Sequence, residues 1–506
     1  LDRVDLNHAE ADASSLPGVQ MKFPDNGRIE LAQGGRFENV TSQGASLTAN
    51  SAGPQSNGSP LPTRVEGDKP PTRMESLNLV QQDDAARVEY ASNPLKDIRD
   101  NRNMILPDSG IPDAPILEAP GEIKNPLVLR HDPKMRLEII DQLGGSEETE
   151  RAIMRALDWF TRNQEADGHW DGPAGHDHAA TGMAMLAYMG WGAKHTEAGP
   201  YQKPLAKAVD WMIRHTGPDG DLRGFRGRNF MYDHGIAAIA VAEAYSLTKD
   251  PRLRPIVERI VDFTVRAQNP KTGGWRYQPF GEQGYSDRGD MSVTGWQIMA
   301  LKSAKMGGIK VPAESLDKAI RFMQSVSSQR VETLRLNGGR QRIEQHTYGY
   351  YTKGDPNLAM VAEGMFCQQL LRKHSLDRRI FTSRQLDKII NNSAQHILYK
   401  DDFIKPGKRR NARPEFNYYY WYYSSLALHQ LQGPVWERWN QKMRPVFLKA
   451  QIHNPDRIDL HGSWDPMGQW GGESGRCIVT AMATLSLEVY YRYLPMYTPA
   501  WAQDAK

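Results

Sequence analysis

ERAIMRALDWFTRNQ (residues 150–164), the loop Asp167-Gly168-His169-Trp170 and then DHAATGMAMLAYMG (177–190) read as one helical hairpin. The first segment places apolar residues at i, i+3, i+4 and i+7, the stripe of a helix with one wet face. The second is apolar almost all round and rich in Ala, Gly and Met, as a helix buried on both sides must be. The same grammar returns in PIVERIVDFTVRAQN (255–269), TGGW (272–275) and DMSVTGWQIMALKSAK (290–305). Wet-faced segments recur at 205–216, 315–326, 384–398 and 435–451, which makes six hairpins up to about residue 494. One hairpin cannot bury its apolar face alone, and six can close on themselves. The expected fold is all-α: an (α/α)6 toroid, six outer helices around six inner ones, over residues 129–506.

Residues 1–128 differ in kind. Stretches such as TSQGASLTANSAGPQSNGSPLPTRVEGDKPPTR hold no period of 2 or 3.6 and too little apolar surface to offset ordering entropy. They read as a long irregular N-terminal arm, a linker or a segment that binds a protein partner or a neighbouring subunit.

Composition narrows the partners. The chain has 506 residues, 39% of them hydrophobic, and a net charge of +3 from 63 basic and 60 acidic residues, with no basic block to suggest nucleic acid. No run approaches the roughly 20 apolar residues of a membrane span. The two cysteines, Cys367 and Cys477, sit in apolar helical patterns and form no disulfide framework. The first residue is Leu rather than Met, and an exported or cell-envelope location is expected on the view that a leader or anchor was removed.

The hairpin loops carry a second signal. Gln164, Gly168 and Trp170 recur as Gln268, Gly273 and Trp275, and again as Gln451, Gly462 and Trp464, while the second copy keeps Asp219-Gly220 and loses the tryptophan. This pattern resembles the QW motif of the terpenoid cyclase and protein prenyltransferase superfamily, with Arg155 to Trp170 fitting it closely and the hairpin rhythm covering about 350 residues. More narrowly, GGSEETERAIMRALDWFTRNQEADGHW and MALKSAKMGGIKVPAESLDKAIRF look like bacterial exported prenyltransferase/squalene-oxidase repeat proteins. The resemblance implies the toroid and says little of a reaction. The family's aspartate-rich DxDD acid motif is absent, neither cysteine has the aspartate of the zinc-binding prenyltransferases, and GEQG (281–284) lacks the cysteine of the thioester domains. No cofactor is expected.

Aligning the inner helices places Asp177, Asp233, Asp290, Asp355, Asn417 and Arg476 at one position, the helix start. Asp and Asn are preferred N-caps and suit the positive end of the dipole. In the superfamily these starts line the mouth of the central cavity, so the same positions are candidates for a site. Asp177, Asp233, Asp290, His234, His346 and Tyr350 are the catalytic candidates. Arg476 opposes the helix dipole, so it either pairs with a neighbouring carboxylate or binds an anionic ligand. With Arg228, Tyr232, Arg413, Tyr418 and Trp421 it forms the candidate ligand-binding set, for which an acidic sugar is suited: rings stack and guanidinium meets carboxylate. His176, His178 and His234 have the ligand type for a metal, although a hydrogen-bonded structural pairing accounts for them too.

Three functions follow as expectations: a cell-envelope module for ligand binding or protein assembly, lacking the family's catalytic motifs; an enzyme on acidic polysaccharides, lyase-like, using Tyr, His and Arg; and a terpenoid- or polyprenyl-processing enzyme with a non-standard acid.

Overall fold

The computed structural model describes residues 140, 144–224, 231–282, 288–336, 339–354, 356–399 and 416–492. All fall in the unit spanning Glu75–Lys506, and the expected arm at 1–128 lies outside the described residues. The outer helices are α1 (Glu147–Arg162), α3 (Gln202–His215), α5 (Arg254–Arg266), α7 (Ala313–Ser325), α10 (Ser383–Tyr399) and α12 (Gly433–Ala450). The inner helices are α2 (Asp177–Trp191), α4 (Met231–Thr248), α6 (Met291–Met306), α8 (Leu358–Leu370), α11 (Tyr418–His429) and α13 (Gly471–Leu487). Short helices α9 (Arg372–Asp377) and α14 (Val489–Arg492) complete the described set.

Each inner helix packs on the next, α2 on α4, α4 on α6, α6 on α8, α8 on α11 and α11 on α13, and α13 returns to α2. The ring is therefore closed, an α/α toroid. Its inner helices are buried along nearly their whole length, as their all-round apolar sequences require. The outer helices bury one face; α1 starts at Ser146, whose hydroxyl accepts from Thr149 N, with Glu147, Glu148 and Glu150 in the first turn.

The Gln, Gly and Trp loops are the stitches of this ring. Gln164 Nε2 donates to Gly168 O at 2.8 Å and to Pro204 O, at the start of the next outer helix, at 2.9 Å. Gln268 does the same to Gly273 O and Ser315 O. Gln451 donates to Gly462 O and to Ala152 O of α1, so the sixth hairpin is tied to the first by the bond that ties the first and third to their successors. Trp170, Trp275 and Trp464 donate their indole N–H to Phe160 O, Thr264 O and Phe447 O of their own outer helices. Gly168, Gly273 and Gly462 all have positive φ, and a Cβ there would lie 2.1–2.4 Å from a carbonyl of the neighbouring outer helix.

One element departs from the all-α expectation. Between α7 and α8, β1 (Ser327–Leu336) and β2 (Gly339–Tyr348) form an antiparallel hairpin in the register Ser327 opposite Tyr348 to Leu336 opposite Gly339. The Asn-Gly dipeptide at 337–338 is the sequence signal for it. β2 packs on α10 and α8.

The inner helices finish at the same end. There α14 packs against α2, α11 and α13, and Arg492 Nη2 lies 3.3 Å from Glu243 Oε2 with both side chains buried. The starts of the inner helices gather at the opposite end. Among the described residues no helix is long and apolar enough to cross a membrane.

Candidate functional site

The helix-start alignment holds as capping in part. Asp290 caps α6, accepting from Ser292 N, and Asn417 caps α11, accepting from Tyr420 N. Asp177 is the first residue of α2 and accepts from Gly172 N at 2.9 Å. Asp233 lies within the first turn of α4, Asn357 caps α8, and Asp355 is outside the described residues.

The most developed cluster is centred on Asp290. Its Oδ1 accepts from Ser292 N at 2.9 Å and from Ser292 Oγ at 2.6 Å, and its Oδ2 takes Arg276 Nη1 at 3.1 Å. Tyr232, at the start of α4, is 2.5 Å from Ser292 Oγ. Since Ser292 gives its proton to Asp290, the chain runs Tyr232 to Ser292 to Asp290. From α11, Tyr419 donates to Glu363 Oε2 at 3.0 Å and reaches Ser292 O at 3.4 Å. Asp290 and Glu363 are both 0% exposed. Burial raises the pKa of each carboxyl; Glu363 is raised well above the usual carboxylate range, with the Asp290 charge adding to the effect. Burial likewise raises Tyr232 and Tyr419. Gly295 of α6 makes room for this acid: a Cβ there would lie 2.0 Å from Glu363 Oε1.

Exposure grades outward from these carboxyls. Arg276, Tyr277, Tyr232, Tyr350 and Tyr419 are partly buried, and Tyr351 and Trp470 are 39% and 44% exposed. Trp470 comes from the sixth hairpin to the side of Tyr350 of the fourth, and sits in the left-handed backbone region with φ +65°. Deeper, Trp296, Tyr422 and Tyr423 pack ring on ring as core.

A second pairing lies beside the first. His176, which precedes α2, brings Nδ1 to 2.8 Å from Asp233 Oδ2. The Asp233 hydrogen bond raises the pKa of His176, and burial raises that of Asp233. The turn that presents His176 carries Ala174 at φ +55° and packs on Gly475.

The remaining candidates fall elsewhere. The three histidines singled out for a metal do not converge: His178 meets His215 O, and His234 accepts from Leu222 N and pairs with Thr264 Oγ1. Burial drops the His234 pKa to about 3, that of a neutral core histidine. Among the described residues the group whose ligand atoms lie within 4.8 Å of one another is instead His169, Asp171 and Asp177, and His169 is already taken by Asp167 and Asp171. His346 lies on β2, edge-on to Tyr348, with its pKa lowered to about 4 by burial. Tyr418 and Trp421 are core residues, packed with Phe416 and Phe447. Arg476 takes the plainer of its two roles, bound to Asp465 at 2.6 Å, Ser463 Oγ and Trp464 O. Arg228 and Arg413 lie outside the described residues.

Glu363, Arg276 and Ser292 were not among the sequence candidates. Asp290, Tyr232 and Tyr350 were, and they reach the same cluster.

No family model matches the chain, and no curated protein matches it. Similar solved structures include an unsaturated glucuronyl hydrolase from Streptococcus agalactiae, at 13% identity and a TM-score of 0.45 over 77% of this chain and 98% of that one. Others are an unsaturated glucuronyl hydrolase specific for heparin (14%, 0.44, 68% and 97%) and the α-1,6-mannanase of Salegentibacter sp. HEL1_6 (12%, 0.43, 68% and 99%). A likeness at this level carries nothing about reaction or substrate.

Proposed function

We propose that the toroid is an enzyme that acts on polysaccharides or oligosaccharides by general acid–base chemistry at the helix-start end of the ring. The observation that supports this reading is the buried Tyr232–Ser292–Asp290 chain beside a second carboxyl, Glu363, whose pKa burial raises well above the ordinary carboxylate range. Paired titratable groups with different environments are how one site holds an acid and a base at the same pH. Asp290, with a guanidinium and two donors from Ser292, is the better placed of the two to carry charge. A proton taken up at Tyr232 Oη is balanced when Tyr232 passes its own to Ser292 and Ser292 passes its proton to Asp290. Glu363 supplies a proton to the departing glycosidic oxygen. The proton taken up comes from water in a hydrolysis, or from the carbon beside a uronic carboxyl in an elimination.

This reading takes the place of an assembly module without catalysis. It also stands ahead of terpenoid processing, which needs an apolar chamber where Trp296, Tyr422 and Tyr423 pack on one another. A place in the cell envelope suits a polysaccharide substrate and belongs to the same proposal. The test is a panel of neutral and acidic polysaccharides and oligosaccharides, read by new reducing ends and by the ultraviolet absorbance of unsaturated products. Reducing ends alone mean hydrolysis, and both signals mean elimination. A panel without product leaves the assembly reading. That reading then requires that a chain starting at Leu129 fail to localise or assemble.

A further inference from the structure

We infer that Arg276 is the anion-binding residue of the Asp290 cluster and that the sugar it selects carries a carboxylate. The inference rests on the reading above and adds the substrate class to it.

Arg276 is held against two aromatic rings. Its guanidinium carbon is 4.4 Å from the ring centroid of Tyr277 and 4.4 Å from that of Tyr351, and the two phenolic oxygens are 3.4 Å apart. One of its nitrogens, Nη1, is fixed by Asp290 Oδ2 at 3.1 Å. Three contacts thus set the position and tilt of a rigid fork before any ligand arrives, which lowers the ordering cost of binding. The side chain remains 15% exposed, beside the exposed Tyr351. A fork of parallel N–H donors matches the two oxygens of a carboxylate.

Two other arginines described at this end, Arg223 and Arg476, are committed. Arg223 gives its fork to Asp221 and Glu282 and a further bond to Gln278. Arg476 is bound by Asp465, Ser463 and Trp464 O. Arg276 meets one carboxyl, through the single nitrogen Nη1. The exposed rings of Tyr351 and Trp470 beside it offer faces on which a pyranose stacks.

Calorimetric titration of the full chain with a uronic-acid oligosaccharide and with its carboxyl-reduced, neutral counterpart tests this directly. The native chain should bind the acidic ligand about 10-fold or more tightly than the neutral one. Arg276→Gln should abolish the preference by weakening the acidic ligand alone. Tyr351→Leu, which leaves the Arg276–Asp290 pair in place, should reduce the preference and decides the matter if Arg276→Gln does not fold. Equal affinity of the native chain for both ligands, no binding of either, or an unchanged preference in the folded variants overturns the assignment. A binding preference without product release sinks the catalytic reading and leaves Arg276 as an anion site. Product release without preference does the reverse.

Discussion

Tyr419, one residue into the fifth inner helix, donates its phenolic hydrogen to Glu363, in the middle of the fourth, at 3.0 Å. The bond joins two hairpins and holds the acid in place. It also favours the charged form of Glu363, in opposition to burial. Tyr419→Phe should therefore raise the Glu363 pKa further and loosen its carboxyl. In the proposed reaction kcat falls about 10-fold, the order expected when a catalytic group loses its orientation. The alkaline limb of the pH–rate profile moves to higher pH. An alkaline limb that stays in place would remove Glu363 as the acid.

Stability should report the same proton. Burial raises Glu363 above its ordinary value of 4.5, so the folded chain keeps a proton that the unfolded chain loses as the pH passes that value. More protons bound in the native state means that stability falls as pH rises. The slope is about 1.4 kcal/mol per pH unit for one group. It begins near the ordinary carboxylate range and ends where the folded carboxyl ionises. Asp290, raised by the same cause, contributes in the same direction. Glu363→Gln replaces the neutral acid with a neutral isostere, so it should abolish activity and gain stability over the native chain as pH rises. Thermal melting of both proteins across pH checks this, and a pH-independent difference would contradict it.

Gly295 faces the same carboxyl from the third inner helix. A Cβ there would come within 2.0 Å of Glu363 Oε1 and 2.6 Å of Glu363 Cδ. Gly295→Ala must therefore push the acid aside in a tightly packed interior, at a cost of about 1–3 kcal/mol. The fold should survive, with kcat reduced and KM little changed, because Arg276 and the exposed rings are untouched. A variant with native kcat would show that the position of Glu363 does not matter.

The outer helices and their loops were legible because both signals are local. The 3.6 period sets each wet-faced helix, and Gln, Gly and Trp at fixed spacing have a fixed hydrogen-bonding task. The hairpin at 327–348 was also local, announced by Asn-Gly at 337–338, and the all-α expectation left no place for it. Glu363 was not legible. It is the one charged residue in the largely apolar run LAMVAEGMFCQQL, and what makes it chemical, Tyr419 and Gly295, lies 56 residues on in one direction and on another hairpin in the other. Arg276 follows Trp275 in a loop and reads as a solvated charge until Tyr277 and Tyr351 close over it. Alignment of helix starts did find Asp290, because capping and site geometry need the same residue there. The same alignment could not tell that Asp233 would turn to His176.

Ring closure makes its own prediction. Gln164 and Gln451 form the same pair of bonds, one within the series of hairpins and one across the point where the series meets itself. Gln451→Ala leaves Gly462 O and Ala152 O without that donor in a buried setting, a loss of about 1–3 kcal/mol for a stranded polar group. If the toroid unfolds as one cooperative body, Gln164→Ala should cost a similar amount and the two variants should melt with equal sharpness. If the ring instead opens at its seam, Gln451→Ala alone should expose α1 early. Hydrogen exchange then separates the cases: selective loss of protection in Glu147–Arg162 and Gly433–Ala450 marks an opening seam. Uniform protection in both variants means that the sixth junction is equivalent to the others, as the matching bonds imply, and that the site at the helix starts is held by a ring with no weak joint.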